Sequence, residues 1–129
     1  MNLKGIQGFL FDLDGVFYVG DKLIPGGIET LNFLNSKHIP YRFVTNTTTK
    51  SRFQICKKLI RWGLPIEESQ IFSAVYAGVL KLREWGNPSC FYFLKDDVKS
   101  EFDEFIQDSV NPDVIVIGDL DQEWNFENM

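Results

Sequence analysis

Residues 6–13, Ile-Gln-Gly-Phe-Leu-Phe-Asp-Leu, are almost continuously apolar, the pattern of a strand buried on both faces of a parallel sheet. A turn-rich stretch around Gly20-Asp21 follows, then Pro25-Gly26-Gly27, with Pro suited to the first helical position. Ile28, Leu31 and Leu34 recur at helical spacing and predict a helix there. Tyr41–Thr45 reads as the second strand. After it, Asn46-Thr47-Thr48-Thr49 is rich in residues that cap helix N-termini. The helix they introduce is expected to bury Phe53, Cys56, Leu59 and Ile60 and to turn Arg52, Lys57, Lys58 and Arg61 outward as a solvated basic face. Gly63 is placed to end it.

Beyond Pro65 the alternation continues. Ser73–Trp85 predicts a helix, Cys90–Leu94 a strand, and Val98, Phe102, Phe105 and Ile106 a further helix that Asp96-Asp97 would open. Asp113–Ile117 is a second apolar strand, and Trp124–Met129 could begin one more helix. Strand and helix alternate throughout, which predicts an α/β fold: a partial doubly wound, Rossmann-like parallel sheet with right-handed crossovers.

Composition narrows the function. The 129 residues are 44% hydrophobic and 15% aromatic, which excludes a disordered chain. A formal net charge of −5 repels phosphate backbones, so no nucleic-acid partner is expected. No apolar run approaches the ~20 residues of a membrane span, and Met1–Gly5 shows no apolar region of a secretory signal. Cys56 and Cys90 are far apart and form no CxxC pair; a reducing cytoplasm is the expected compartment. His38 sits at a helix end, where a cation suits the dipole, and Cys56 lies on an apolar stripe.

The chemistry concentrates at two strand ends. The first strand runs into Phe11-Asp12-Leu13-Asp14-Gly15-Val16, and open α/β sheets bind ligands outside the carboxyl ends of their strands. Two ionised carboxylates this close repel unless a cation lies between them, and hard oxygen donors suit Mg²⁺. The same Asp-x-Asp-Gly is equally compatible with a solvated acidic turn. The second strand ends in Thr45-Asn46. Strands joined by one crossover are usually neighbours, so a hydroxyl, an amide and a helix N-terminus would stand beside Asp12 as a phosphate cradle. Thr48 and Thr49 read instead as helix caps.

These motifs resemble the haloacid dehalogenase superfamily of phosphotransferases, and within it the nitrophenylphosphatase-like branch that carries a large α/β cap. The resemblance rests on Phe11–Tyr18 as first motif, Ile24-Pro25-Gly26-Gly27 as the turn before the first helix, and Val44–Thr48 with Lys50-Ser51-Arg52 as second motif. It implies residues 1–72 as the amino-terminal half of a catalytic core and 73–129 as an incomplete cap. It further implies Asp12 as the nucleophile that becomes an aspartyl-phosphate and Asp14 as the acid and base. Mg²⁺ would lie on the Asp12 carboxylate and the Asp14 main-chain carbonyl, and Thr45 and Asn46 would hold the phosphoryl group of a small phosphorylated substrate. A later phosphate-binding Lys and a second acidic pair fall outside this chain. Gly118-Asp119-Leu120-Asp121 mimics that pair, but Gln122-Glu123-Trp124 lacks its continuation, and the segment is read as part of the cap. The resemblance therefore implies an Mg²⁺-dependent phosphatase, inactive as this chain alone; a non-catalytic phosphate-binding fragment is the alternative. A receiver-type signalling domain fits less well, because receivers cluster their acidic pair differently. With the strand bearing Asp12 lacking its family neighbour, its open edge is expected to promote self-association.

Overall fold

The computed structural model describes residues 4–120. By internal contacts the chain divides into two units, one of residues up to 46 with 52–73, the other of 47–51 with 74 onward. The first holds β1 (Phe9–Phe11), the short pair β2 (Tyr18–Val19) and β3 (Lys22–Leu23), α1 (Gly27–Ser36), β4 (Tyr41–Thr45), α2 (Arg52–Arg61) and β5 (Ile71–Ser73). Strands β1, β4 and β5 form a parallel sheet in that order, with Phe11 opposite Phe43 and Thr45 opposite Ser73. The α/β class and the parallel sheet are as the sequence predicted.

Among the described residues the sheet is covered on one face. Along β4, Tyr41, Phe43 and Thr45 are buried while Arg42 and Val44 are exposed. The buried side meets Leu31 and Leu34 of α1 and Ile55, Cys56 and Leu59 of α2 in one core. Two right-handed crossovers stepping in the same direction across a sheet put both helices on the same side. Leu10, on the other face, is 76% exposed. The expectation of a strand buried on both faces is therefore corrected, and ladder pairing covers Phe9–Phe11 rather than the whole 6–13 run. Aromatic rings fill the core: Phe17 meets both Phe11 and Phe43 edge-on with centroids 5.3 Å apart, a favoured geometry. Gly27 lets α1 start against this cluster, since a Cβ there would come within 2.9 Å of the Phe17 ring.

Helix boundaries differ from the sequence pattern in detail. The N-cap of α1 is Gly26, so Pro25 precedes the helix rather than opening it. Helix α2 begins at Arg52, directly after Ser51, so Thr48 and Thr49 do not cap it. It buries Ile55, Cys56 and Leu59, whereas Phe53 and Ile60 are exposed. Those two lie roughly 100° around the helix from the buried stripe, at ~3.6 residues per turn. His38 adopts φ 55° just past α1 and donates its backbone N–H to the Asn35 carbonyl, a helix-end role.

The second unit contains α3 (Ala74–Glu84), β6 (Cys90–Phe93), α4 (Asp96–Lys99) and β7 (Val114–Ile117). The expected helix from Ser73 starts one residue later, because Ile71–Ser73 is strand β5. Parallel β6 and β7 pair Cys90 with Val114 and Phe93 with Ile117. Val75, Val79 and Leu82 of α3 pack with Cys90, Tyr92, Val98, Phe102 and Phe105. Helix α4 begins at Asp96 as expected but ends at Lys99, continues as a 3-10 turn, and leaves Ile106 exposed. Thr48 belongs to this unit, where its Oγ1 accepts the Asp119 backbone N–H at 3.2 Å. The expected helix over 124–129 lies outside the described residues, as does Asp121.

Truncating Phe43, which is fully buried among three aromatic rings, is expected to cost roughly 3–5 kcal/mol in urea denaturation. Leu10→Ala, on the exposed face, should stay within about 0.5 kcal/mol. Among the described residues β1 is also an edge strand, with unpaired N–H and C=O groups along its outer side. The isolated chain is expected to self-associate there in light scattering. A monomer with slow amide exchange at residues 8–13 would contradict that.

Candidate active site

The site grows from the carboxyl end of the sheet in the first unit. Strand β1 stops at Phe11, so Asp12 is the first residue beyond the ladder, and it is exposed. Its Oδ1 accepts the Leu13 backbone N–H at 2.8 Å. Leu13 is fully buried and fixes the turn from inside. Its carbonyl accepts the N–H groups of Val16, Phe17 and Tyr18 at 3.3, 2.9 and 3.4 Å. Within that turn Gly15 has φ 78°, a left-handed conformation that glycine adopts without strain. The Gly15 N–H donates to the Tyr18 carbonyl at 2.7 Å, and Asp14 pairs with Tyr18 in an isolated bridge. Asp14 is therefore held in an exposed turn whose two ends, Leu13 and Phe17, are buried anchors.

The neighbouring strand brings the second group. With Phe11 opposite Phe43, Thr45 at the end of β4 lies two residues further along, at the level of the Asp12–Asp14 turn. Thr45 is buried and Asn46, the next residue, is exposed. Asp12, Asp14, Thr45 and Asn46 thus share one end of one sheet. Ser73 ends β5 beside Thr45 and is fully buried.

Tyr18 senses both carboxylates. Its phenol is held above its ordinary value by burial first, then by the negative charges of Asp14 and Asp12. Tyr18 carries no signal of this role in the sequence beyond its place four residues after Asp14, and Ser73 is hidden there by the helical pattern of 73–85. Among the described residues no cluster of three or more His, Cys, Asp or Glu could hold a metal ion, and no helix is long and apolar enough to cross a membrane. Asp12 and Asp14 do fit Mg²⁺ chemically: both are exposed oxygen donors at one turn, and Mg²⁺ is commonly held by one or two carboxylates, with water and substrate phosphate filling its octahedron.

A family model described as haloacid dehalogenase-like hydrolase matches residues 9–105. Human phospholysine phosphohistidine inorganic pyrophosphate phosphatase is 33% identical over 131 residues, covering 98% of this chain and 47% of that protein. Chloroplastic phosphoglycolate phosphatase 1A of Arabidopsis thaliana is 42% identical over 86 residues, 67% of this chain and 24% of that protein. Among solved structures, 4-nitrophenylphosphatase from Thermotoga maritima superposes with a TM-score of 0.86 at 27% identity, covering 98% of this chain and 49% of that one. The chain spans about half the length of the human relative and of the Thermotoga structure, or less in the Arabidopsis case.

The arrangement around Tyr18 makes its phenol a reporter of the two carboxylates. Asp14→Asn and Asp12→Asn are each expected to lower the Tyr18 pKa toward its ordinary value without reaching it, since burial, the largest cause, remains. Titration of ¹³C-labelled tyrosine by NMR, with Tyr18→Phe assigning the signal, measures this. An unmoved Tyr18 in both variants would separate the phenol from the acidic turn.

Proposed function

The chain belongs to the haloacid dehalogenase-like hydrolase family, and from that premise we propose that it carries the nucleophile half of a phosphoric monoester hydrolase acting on a small phosphorylated metabolite. In this reading residues 1–72 are the amino-terminal half of the catalytic core and 73–129 part of an α/β cap. The observation that carries it is the pair of strand ends: Asp12 and Asp14 just past β1, and Thr45-Asn46 at the end of the adjacent parallel strand β4. The phosphatase names of the relatives support it. Two buried cysteines without a disulfide suit a reducing compartment, and we place the protein in the cytoplasm.

The proposed mechanism has two steps. A carboxylate oxygen of Asp12 attacks phosphorus and forms an O–P bond as the bond to the leaving oxygen breaks. Asp14 acts as general acid and gives that oxygen a proton. Water then attacks the aspartyl-phosphate, Asp14 takes a proton from the water, and the Asp12–phosphorus bond breaks to release inorganic phosphate. Splitting the hydrolysis this way replaces one difficult step with two easier ones. Thr45 and Asn46 hold the phosphoryl oxygens, since positioning and charge stabilisation dominate phosphoryl transfer. The Asp12 carboxylate and the Asp14 carbonyl would hold Mg²⁺, which when bound offsets charge between nucleophile and phosphoryl group.

In the full-length protein, Asp12→Asn should abolish both turnover of p-nitrophenyl phosphate and phosphoenzyme formation while the fold persists. Undiminished turnover would sink the mechanism. The 129-residue chain alone is expected to show negligible turnover and weak Mg²⁺ affinity, because two protein ligands, the Asp12 carboxylate and the Asp14 carbonyl, with water hold octahedral geometry poorly. Calorimetry giving tight, stoichiometric Mg²⁺ binding would overturn that expectation.

A further inference from the structure

We propose that Lys58 is a positioning residue for Asp14: its ammonium clamps the hairpin that follows the acidic turn onto α2, and so fixes where Asp14 stands beside Asp12. The inference rests on the phosphatase reading above, and it gives that site a support on a helix that contributes none of its reacting groups. By charge and helical spacing Lys58 belongs to a solvated basic face. The structure instead leaves its side chain only 24% exposed.

Among the described residues the ammonium meets four partners, all in the first unit. Lys58 Nζ lies 4.5 Å from the centre of the Tyr18 ring and 4.7 Å from that of Trp62. It donates to the Gly20 carbonyl at 2.9 Å and stands 3.3 Å from Asp21 Oδ1. The Asp21 side chain is 96% exposed, so solvent weakens that ion pair, and the rings and the carbonyl are the stronger holds. The two rings themselves meet at 5.4 Å, tilted by 59°. A cation over two ring faces is satisfied only while both rings stand in place, which makes the clamp directional.

Three of the four partners lie in or between β2 and β3, and that hairpin is joined to Asp14 by more than chain continuity. The Tyr18 carbonyl accepts the Gly15 N–H at 2.7 Å, and Tyr18 is the bridge partner of Asp14. Asp14, Gly15 and Val16 are all exposed, so packing holds this turn only at its ends, Leu13 and Phe17. The clamp adds a hold from the outer side. An acid–base carboxylate must stand within hydrogen-bond reach of the oxygen it serves, and small misplacements of a reacting group are costly in rate.

Lys58→Met keeps the stem and removes the charge. In the full-length protein it is expected to lower kcat for p-nitrophenyl phosphate by ~10-fold or more with KM changed less than about twofold, because Thr45 and Asn46 are untouched. Lys58→Arg, whose guanidinium is charged and stacks on rings, should restore most of kcat. In the 129-residue chain, Lys58→Met should speed amide exchange at Gly15 and Tyr18 while leaving Phe43 protected. Should Lys58→Met fold poorly, Trp62→Leu removes one ring and should give the same split at smaller size. Unchanged kcat in these variants, no recovery with Arg, or unchanged Gly15 exchange would each overturn the inference. Undiminished turnover in Asp12→Asn would instead sink the phosphatase reading, and the exchange result at Gly15 would still decide whether the clamp exists.

Discussion

Everything proposed for the site depends on one backbone register, Phe11 opposite Phe43 in the parallel pairing of β1 with β4. Side chains alternate faces along a strand, so a slip of one residue would exchange buried and exposed positions. It would also carry Thr45 and Asn46 out of step with the acidic turn. The register is secured from the buried side by Phe11, Phe17, Tyr41 and Phe43, whose rings meet one another at 5.3–6.4 Å. The same aromatic cluster therefore stabilises the unit and sets the level at which the polar strand ends stand. Phe17 does both jobs most directly: it packs on Phe11 and Phe43 and it terminates the turn that carries Asp14.

The parts of the fold that were readable in the sequence are those where one strong pattern has one solution. Tyr41–Thr45, short and rich in aromatic and β-branched residues, is a strand over the same residues. Asp-x-Asp-Gly at a strand end and Thr-Asn at the next were visible because polar groups interrupt apolar runs at fixed places. What was not readable depended on partners remote in sequence. Nothing local shows that Leu10 faces away from the helices, since that follows from both crossovers lying on the same side. Phe53 and Ile60 are apolar but sit outside the arc of α2 that Ile55, Cys56 and Leu59 bury. Strand β5 is three residues long and abuts α3, so its period-2 signal was lost in the helical one.

Lysine shows the same limit from the other side. Its charge predicts solvent, and most lysines obey, but four methylenes let the head group travel to partners that no spacing rule anticipates. For Lys58 those partners are two rings, a carbonyl and a carboxylate, one ring just past the end of its own helix and the rest nearly forty residues earlier. Net charge and periodicity describe faces. They do not describe which cation is recruited by which aromatic pair.

The assignment of residues 47–51 to the second unit has a consequence for how the chain assembles as it is made. The polypeptide leaves the first unit after Asn46, returns at Arg52, and leaves again after Ser73. During synthesis the first unit has all its strands once Ser73 emerges. The Thr48 hydroxyl, by contrast, must wait for the backbone of Asp119. Domains fold as units during synthesis, and closing so long a loop carries an entropic cost before any contact repays it. Thr48, two residues after Asn46, would therefore be among the last to acquire this native partner, and neither unit could be cut out of the chain as one continuous piece.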